Sequence, residues 1–402
     1  MPTRTDVTAN FAPFQGGLFS TVTKADVGDG VSKLIENGYD ILAWADPFFP
    51  DPSMPASVSA AMSDAILAGF TSHYTMPIGS LDLRQAVADK VQRYNGLTVD
   101  PQRNVLITPG SDSGLLYSMM PFLEAGDEVL IPDPSYPSNY NNCTLLGAVP
   151  VSVPMDAANG YQLDIAEMAK RLTPRTKMVL ITHPNNPTGT VFREETVRAL
   201  CEFIVENDLI LVSDQAFEDH IFDGITFVSP ASFPGMWERT VTVFSVSKGL
   251  GLSGLRVGYL VACDQFMDKF YGAAVNVLGA TSTVSQIGAL AALRDTTILP
   301  AYFEILNRRR DLAFDTFSTI PGVAVARAES GFLSWLDVSQ LGTAQSVSAH
   351  LLEVAHISVN EGDAYGTQGV GHLRLVHGCY RDDAKALAVF QRLANALTQL
   401  SQ

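Results

Sequence analysis

Two textures alternate through the middle of the chain. Short, continuously apolar runs rich in β-branched residues occur at 104–108, 128–132, 177–182, 209–213, 240–245 and 257–262. Between them lie longer stretches, such as 113–123 and 194–207, in which apolar residues recur three and four apart. The first texture predicts strands and the second amphipathic helices. Because the strand runs do not alternate polar with apolar, the sheet they form is expected to be buried on both faces. That makes it mostly parallel, with helices on either side. After about residue 290 the pattern changes. A long helical period at 300–319 leads to the run Gly331-Phe-Leu-Ser-Trp-Leu-Asp-Val338, then a helix near 346–354, a strand near 372–376 and a closing amphipathic helix from Arg381. This predicts a smaller α+β domain. The segment before residue 52 is expected to pack with it, because Trp44-Ala-Asp-Pro-Phe-Phe-Pro-Asp-Pro52 breaks any sheet register. The expected fold class is therefore α/β: a large domain at 53–290, a C-terminal small domain at 291–402, and residues 1–52 as an N-terminal arm joined to the latter.

Composition supports this reading and narrows the function. The 402 residues are 47% hydrophobic and only 17% charged, enough material for two cores and no sign of global disorder. Acidic side chains outnumber basic ones 42 to 26, a net charge of −16. That field repels phosphate backbones and anionic lipid, so nucleic-acid and membrane partners are not expected. Any phosphate must be held locally, by backbone amides and one or two placed cations. Cys143, Cys201, Cys263 and Cys379 are far apart and are expected to be buried free thiols. The seven histidines show no metal-ligand spacing. The first residues lack a signal pattern and no apolar run approaches 18 residues, so a soluble, cytoplasmic protein is expected.

Three segments carry candidate chemistry. The first is Ser245-Val-Ser-Lys248-Gly-Leu-Gly-Leu-Ser-Gly254-Leu-Arg256-Val-Gly258, a lysine just past a strand, with serines behind and glycines ahead. A lysine that attacks a carbonyl must be neutral, which calls for burial and a nearby cation such as Arg256. The second is His183-Pro-Asn-Asn186-Pro-Thr-Gly189, directly after a strand. It is either a simple turn or a ligand loop at the edge where parallel sheets bind. The third is Asp214, which ends the strand Leu209-Ile-Leu-Val-Ser and is either a helix N-cap or a ligand carboxylate. In addition, Thr108-Pro-Gly110-Ser111-Asp112 opens a helix whose free amides could cradle a phosphate.

Taken together, these motifs resemble the class I/II aminotransferases, pyridoxal-phosphate enzymes of the aspartate aminotransferase fold type. The resemblance runs from about Ile41 to the end of the chain. It implies pyridoxal 5′-phosphate held on Lys248 as a Schiff base, Asp214 paired with the pyridine nitrogen, and Asn186 on the ring oxygen O3′. Gly110, Ser111, Asp112, Ser245 and Arg256 would hold the phosphate, with backbone rather than side-chain contact at Asp112. Tyr136 would stack on the ring, and Tyr74 would reach the phosphate of a neighbouring subunit in a homodimer with shared active sites. Arg374, in Gly371-His-Leu-Arg-Leu-Val, would grip the substrate α-carboxylate, aided by Asn186 and the segment at Ala45. The triplet Arg308-Arg309-Arg310 is expected to be a solvated helix face.

Two positions depart from the family pattern. Ala45, beside Trp44, stands where a glycine usually clears space for substrate, and Phe217 stands where a tyrosine usually donates to O3′. Transfer of an amino group between an L-amino acid and a 2-oxo acid is the expected reaction. A different pyridoxal-phosphate reaction, such as decarboxylation, elimination or an oxidative or cyclising step, is the alternative that Phe217 keeps open. Trp44, Phe48 and Phe49 point weakly to an apolar or aromatic substrate side chain.

Overall fold

A computed structural model describes residues 8–11, 14 and 29–401 of the chain. The rest of the predicted N-terminal arm lies outside the described residues. Seven strands form the main sheet: β2 (Val105–Thr108), β3 (Glu128–Asp133), β4 (Val149–Pro154), β5 (Thr176–Thr182), β6 (Ile210–Asp214), β7 (Thr240–Ser245) and β8 (Gly258–Val261). Their spatial order is β2-β8-β7-β6-β5-β3-β4, and β8 alone runs antiparallel to its neighbours. The six apolar runs of the sequence are six of these strands. β4 escaped prediction because it is an edge strand of mixed burial carrying Pro150 and Pro154, which an edge tolerates and a central strand does not.

Burial explains why the other six were legible. Val129, Leu130, Val179, Leu180, Leu211 and Val212 are completely shielded from solvent, and successive residues enter opposite cores. Leu106, Leu180 and Val212 pack with the helices Ser111–Met119 and Asp264–Val277 on one face. Val179, Ile181 and Leu211 pack with the helix Glu194–Glu206 on the other.

The C-terminal part builds a four-stranded antiparallel sheet in the order β12 (Asn360–Glu361), β13 (His372–Val376), β10 (Leu333–Asp337), β9 (Ala324–Val325). It packs on the helices Ile298–Phe317 and Asp383–Leu400 through Phe317, Leu373, Leu375 and Phe390. Before the main sheet, β1 (Asp40–Ile41) pairs in parallel with β11 (Ile357–Ser358).

The arginine triplet corrects its expectation. Arg308 is exposed, but Arg309 and Arg310 are buried, at 0% and 3% exposure. Arg309 donates to the carbonyls of Cys379 and Tyr380 and to Asp383. Arg310 forms a two-bond pair with Asp223 at 2.8 and 3.0 Å. They join the long helix to neighbouring loops, and a stem of three methylenes lets a guanidinium cross an apolar layer to reach such partners. All four cysteines are free and buried, and burial pushes the Cys143 thiol up to about 12. No described helix is long and apolar enough to cross a membrane.

Candidate active site

Parallel strands deliver their C-terminal ends to one edge of the sheet. At that edge β2 hands over to Gly110–Asp112, β3 to Tyr136, β5 to Asn186, β6 ends at Asp214, and β7 leads to Lys248. A cavity of about 1010 Å³ opens there, lined by Ser111, Asp112, Tyr136, Asn186, Asp214 and Lys248, with Ala45, Phe217, Arg256 and Arg374 completing the wall. Residues spread over 330 positions of sequence thus meet because the sheet is parallel and because β13 faces it from the other unit.

Lys248 Nζ donates to the carbonyl of Ala45 at 2.6 Å and stands 5.9 Å from the centre of the Phe217 ring. Burial lowers its pKa, Asp112 opposes that, and Arg374 and Arg256 push the same way as burial. The amine is thereby shifted toward the neutral, nucleophilic form. Asp214 is 6% exposed, and its carboxylate accepts the Ala216 N–H at 3.1 Å. Burial raises its pKa to about 7, with a further rise from Asp112 and a partial offset from the Ala216 N–H and Lys248. A carboxylate so desolvated gains from a cationic partner.

At the other end of the cavity, Gly110 adopts φ +88° and a Cβ there would lie 2.4 Å from Arg256 Nη2. Only glycine lets the guanidinium settle against the start of the helix Ser111–Met119. Arg256 itself has φ +52°, which turns its side chain back to this point. Asp112 does not face the cradle alone. Its carboxylate accepts the Tyr136 hydroxyl at 2.9 Å and Arg256 Nη2 at 3.4 Å.

Arg374 is 3% exposed. One of its terminal nitrogens donates to the Ala43 carbonyl, its guanidinium lies 5.4 Å from the centre of the Tyr365 ring, and its Nε has no partner. Asn186, 4% exposed, likewise has a side-chain oxygen without a partner.

Two predicted residues lie away from this wall. Ser245 is buried behind it, and its hydroxyl accepts the Ser247 N–H at 3.0 Å, so Ser247 and Ser253 line the cavity instead. Tyr74 is 96% exposed and does not line the cavity of its own chain. Phe48, read as an entrance aromatic, is fully buried in the core, whereas Trp44 does line the cavity. Sequence reading missed Asn360 and Tyr365. Asn360 Nδ2 donates to the Ala43 carbonyl and to the Tyr365 hydroxyl, both at 3.0 Å, bracing the segment that carries Ala45. No motif marks either residue, and only the pairing of Asn360 with Arg374 between β12 and β13 brings them here.

The residues fit pyridoxal 5′-phosphate. A desolvated carboxylate at Asp214, a buried side-chain amide at Asn186 whose NH2 group can donate, and a helix start with an arginine packed where no Cβ fits are what its ring nitrogen, ring oxygen and phosphate require.

Comparison with known proteins agrees. The model of the family "Aminotransferase class I and II" matches residues 42–393. Aromatic-amino-acid aminotransferase 2 of Thermococcus litoralis is 32% identical over 330 residues, 81% of this chain and 84% of that protein. The arginine–pyruvate transaminase of Pseudomonas aeruginosa is 33% identical over 370 residues, 89% of this chain and 93% of that protein. Among solved structures, the aspartate aminotransferase of Thermus thermophilus with maleate superposes with a TM-score of 0.86 at 27% identity, covering 97% of this chain and 99% of that one. The chain belongs to the class I and II aminotransferases, pyridoxal-phosphate enzymes of the aspartate aminotransferase fold.

Proposed function

We propose that this cavity transfers the amino group of an L-amino acid to a 2-oxo acid with Lys248, Asp214, Asn186 and Arg374 as its working residues. The observation that carries the assignment is their convergence in one cavity, with a neutral-leaning amine beside a desolvated carboxylate. Pyridoxal phosphate, when bound, supplies an electron sink conjugated to the substrate's Cα. Arg374 grips the substrate α-carboxylate, since its unpartnered Nε and planar fork suit a two-bond contact. Lys248 Nζ would hold the cofactor, and its free amine would move the proton at the substrate Cα. Asp214 holds a proton on the ring nitrogen, and Asn186 orients the ring through O3′. Ser111, Ser247 and Arg256 hold the phosphate, with Tyr136 against the ring face.

The finer assignments rest on the same geometry. Residues 53–290 act as the cofactor-binding body, and 1–52 with 291–402 as the smaller unit, supported by the pairing of β1 with β11. The chain functions as a homodimer in the cytoplasm. Ile66, Leu67, Phe70, Tyr74 and Met76 are each more than half exposed, an apolar surface that a second copy would cover and that would carry Tyr74 toward its partner's phosphate. Mixing the holoenzyme with single amino acids tests the assignment. Loss of the cofactor's visible band, with one 2-oxo acid formed per active site, supports it. Release of carbon dioxide or ammonia without that stoichiometry would replace it with a different reaction.

A further inference from the structure

Counting the charges on the cavity wall separates those already committed from those left over. Among the described lining residues the cations are Lys248, Arg256 and Arg374. The proposed function uses all three, on the cofactor's aldehyde carbon, its phosphate and the substrate α-carboxylate. No cation of this wall remains for a second carboxylate. The acids are not used up in the same way. Asp214 and Asp112 belong to the cofactor end and Asp46 is held by the Ser253 hydroxyl, but Glu361 and Asp363 line the wall on the segment that leads into β13 and hence to Arg374. Glu361 accepts the Ser348 hydroxyl at 2.7 Å and is half-buried, while Asp363 is exposed at the mouth.

A further observation points to a ligand reaching this end. Arg374 and Asn186 are buried on the same wall with polar atoms unpartnered, so an α-amino acid has a fixed anchor. Beyond the anchor, Trp44 lines the same cavity, an aromatic ring of the kind that accommodates methylenes and attracts cations.

We infer that the amino donor is a long, cationic amino acid of the arginine, lysine or ornithine class, and that Glu361 and Asp363 are the specificity-determining residues that receive its charged end. This rests on the aminotransferase reading above. Dicarboxylic amino acids are disfavoured by the same acids that attract the cation.

The test compares kcat/KM for arginine, its uncharged isostere citrulline, phenylalanine and aspartate, using the holoenzyme and one 2-oxo acid acceptor. Two partly screened ion pairs predict that arginine exceeds citrulline by roughly tenfold, with aspartate poorest. In Glu361→Gln/Asp363→Asn the arginine-to-citrulline ratio should fall toward one. Citrulline or phenylalanine matching arginine in the parent, or aspartate as the best donor, overturns the inference. So does a parent ratio that survives in the folded double variant. A failure of the underlying reading looks different, because then none of the four donors bleaches the cofactor or forms a 2-oxo acid.

Discussion

At the scale of single residues, the site is a set of side chains held in states that water would not allow. Asp214 shows this most directly. Its folded pKa, pushed up to about 7 by burial, lies above the ordinary value of 3.8. A carboxyl with a raised folded pKa contributes stability below its unfolded pKa and loses it as pH rises through the folded value. The cofactor-free protein should therefore lose thermal stability between about pH 4 and pH 7, while Asp214→Asn, which cannot ionise, should lose less over that window. Melting curves of both proteins, stripped of cofactor, measure the difference, and equal losses would show that Asp214 does not titrate there. Adding pyridoxal phosphate should restore the parent at pH 8 more than the variant, because only an ionised partner pairs with a protonated ring nitrogen. Phe217 supplies a second test. Its ring lies between Lys248 and Phe332 and ends without a donor. A hydroxyl placed there would stabilise negative charge on O3′, so Phe217→Tyr should lower the pH at which the bound cofactor's visible band changes. A pH titration of the absorbance reads it, and an unchanged or raised midpoint in a folded variant would count against a contact with O3′.

At the scale of elements, what the sequence revealed and what it hid have physical reasons. Strands buried on both faces must be apolar throughout, so six of the seven were legible, whereas the edge strand Val149–Pro154 is under no such constraint. Motifs at strand ends were legible because each is contiguous: Lys248, Asn186 and Asp214 lie within a few residues of the strand that positions them. Asn360 and Tyr365 were not, since Ala43 lies 317 positions from Asn360 and Arg374 comes opposite Asn360 only when β12 pairs with β13. Nor could the sequence show that Arg309 and Arg310 are buried, because a run of arginines on a helix looks solvated until the loops that accept their hydrogen bonds are in place. The junction of β2 with its helix carries a prediction of its own. Gly110→Ala forces a Cβ at positive φ, which costs on the order of 1 kcal/mol, and displaces the Arg256 guanidinium. Because an arginine side chain can swing away, the fold should survive while the phosphate cradle opens. The dissociation constant for pyridoxal phosphate should rise severalfold, and that for pyridoxal, which has no phosphate, should stay nearly constant. Equal weakening of both would mean that the substitution disturbs the ring site instead.

At the scale of the whole molecule, one chain leaves an apolar surface uncovered. The segment from Ile66 to Met76 is anchored at its base, where Thr75 and Gln286 share a hydrogen bond of 2.7 Å, yet it presents Leu67 at 85% and Tyr74 at 96% exposure. Large apolar side chains this open, in consecutive turns of one segment, are costly to leave in water and indicate a partner surface. The second copy proposed above would also give a place to Tyr74, a hydroxyl-bearing ring that does not line its own chain's cavity. Two variants then separate assembly from cofactor contact. Leu67→Glu/Phe70→Glu should shift the protein from dimer to monomer by light scattering and lower both activity and cofactor retention, because charges in an apolar interface lose solvation without gaining partners. Tyr74→Phe removes only a hydroxyl and should leave the dimer intact while raising the dissociation constant for pyridoxal phosphate about tenfold, near the 1.4 kcal/mol of one hydrogen bond to a charged group. A dimer that persists in the charged variant places the interface elsewhere on the molecule. A cofactor affinity unmoved by Tyr74→Phe takes the Tyr74 hydroxyl out of the phosphate site and leaves Ser111, Ser247 and Arg256 as the donors proposed for it.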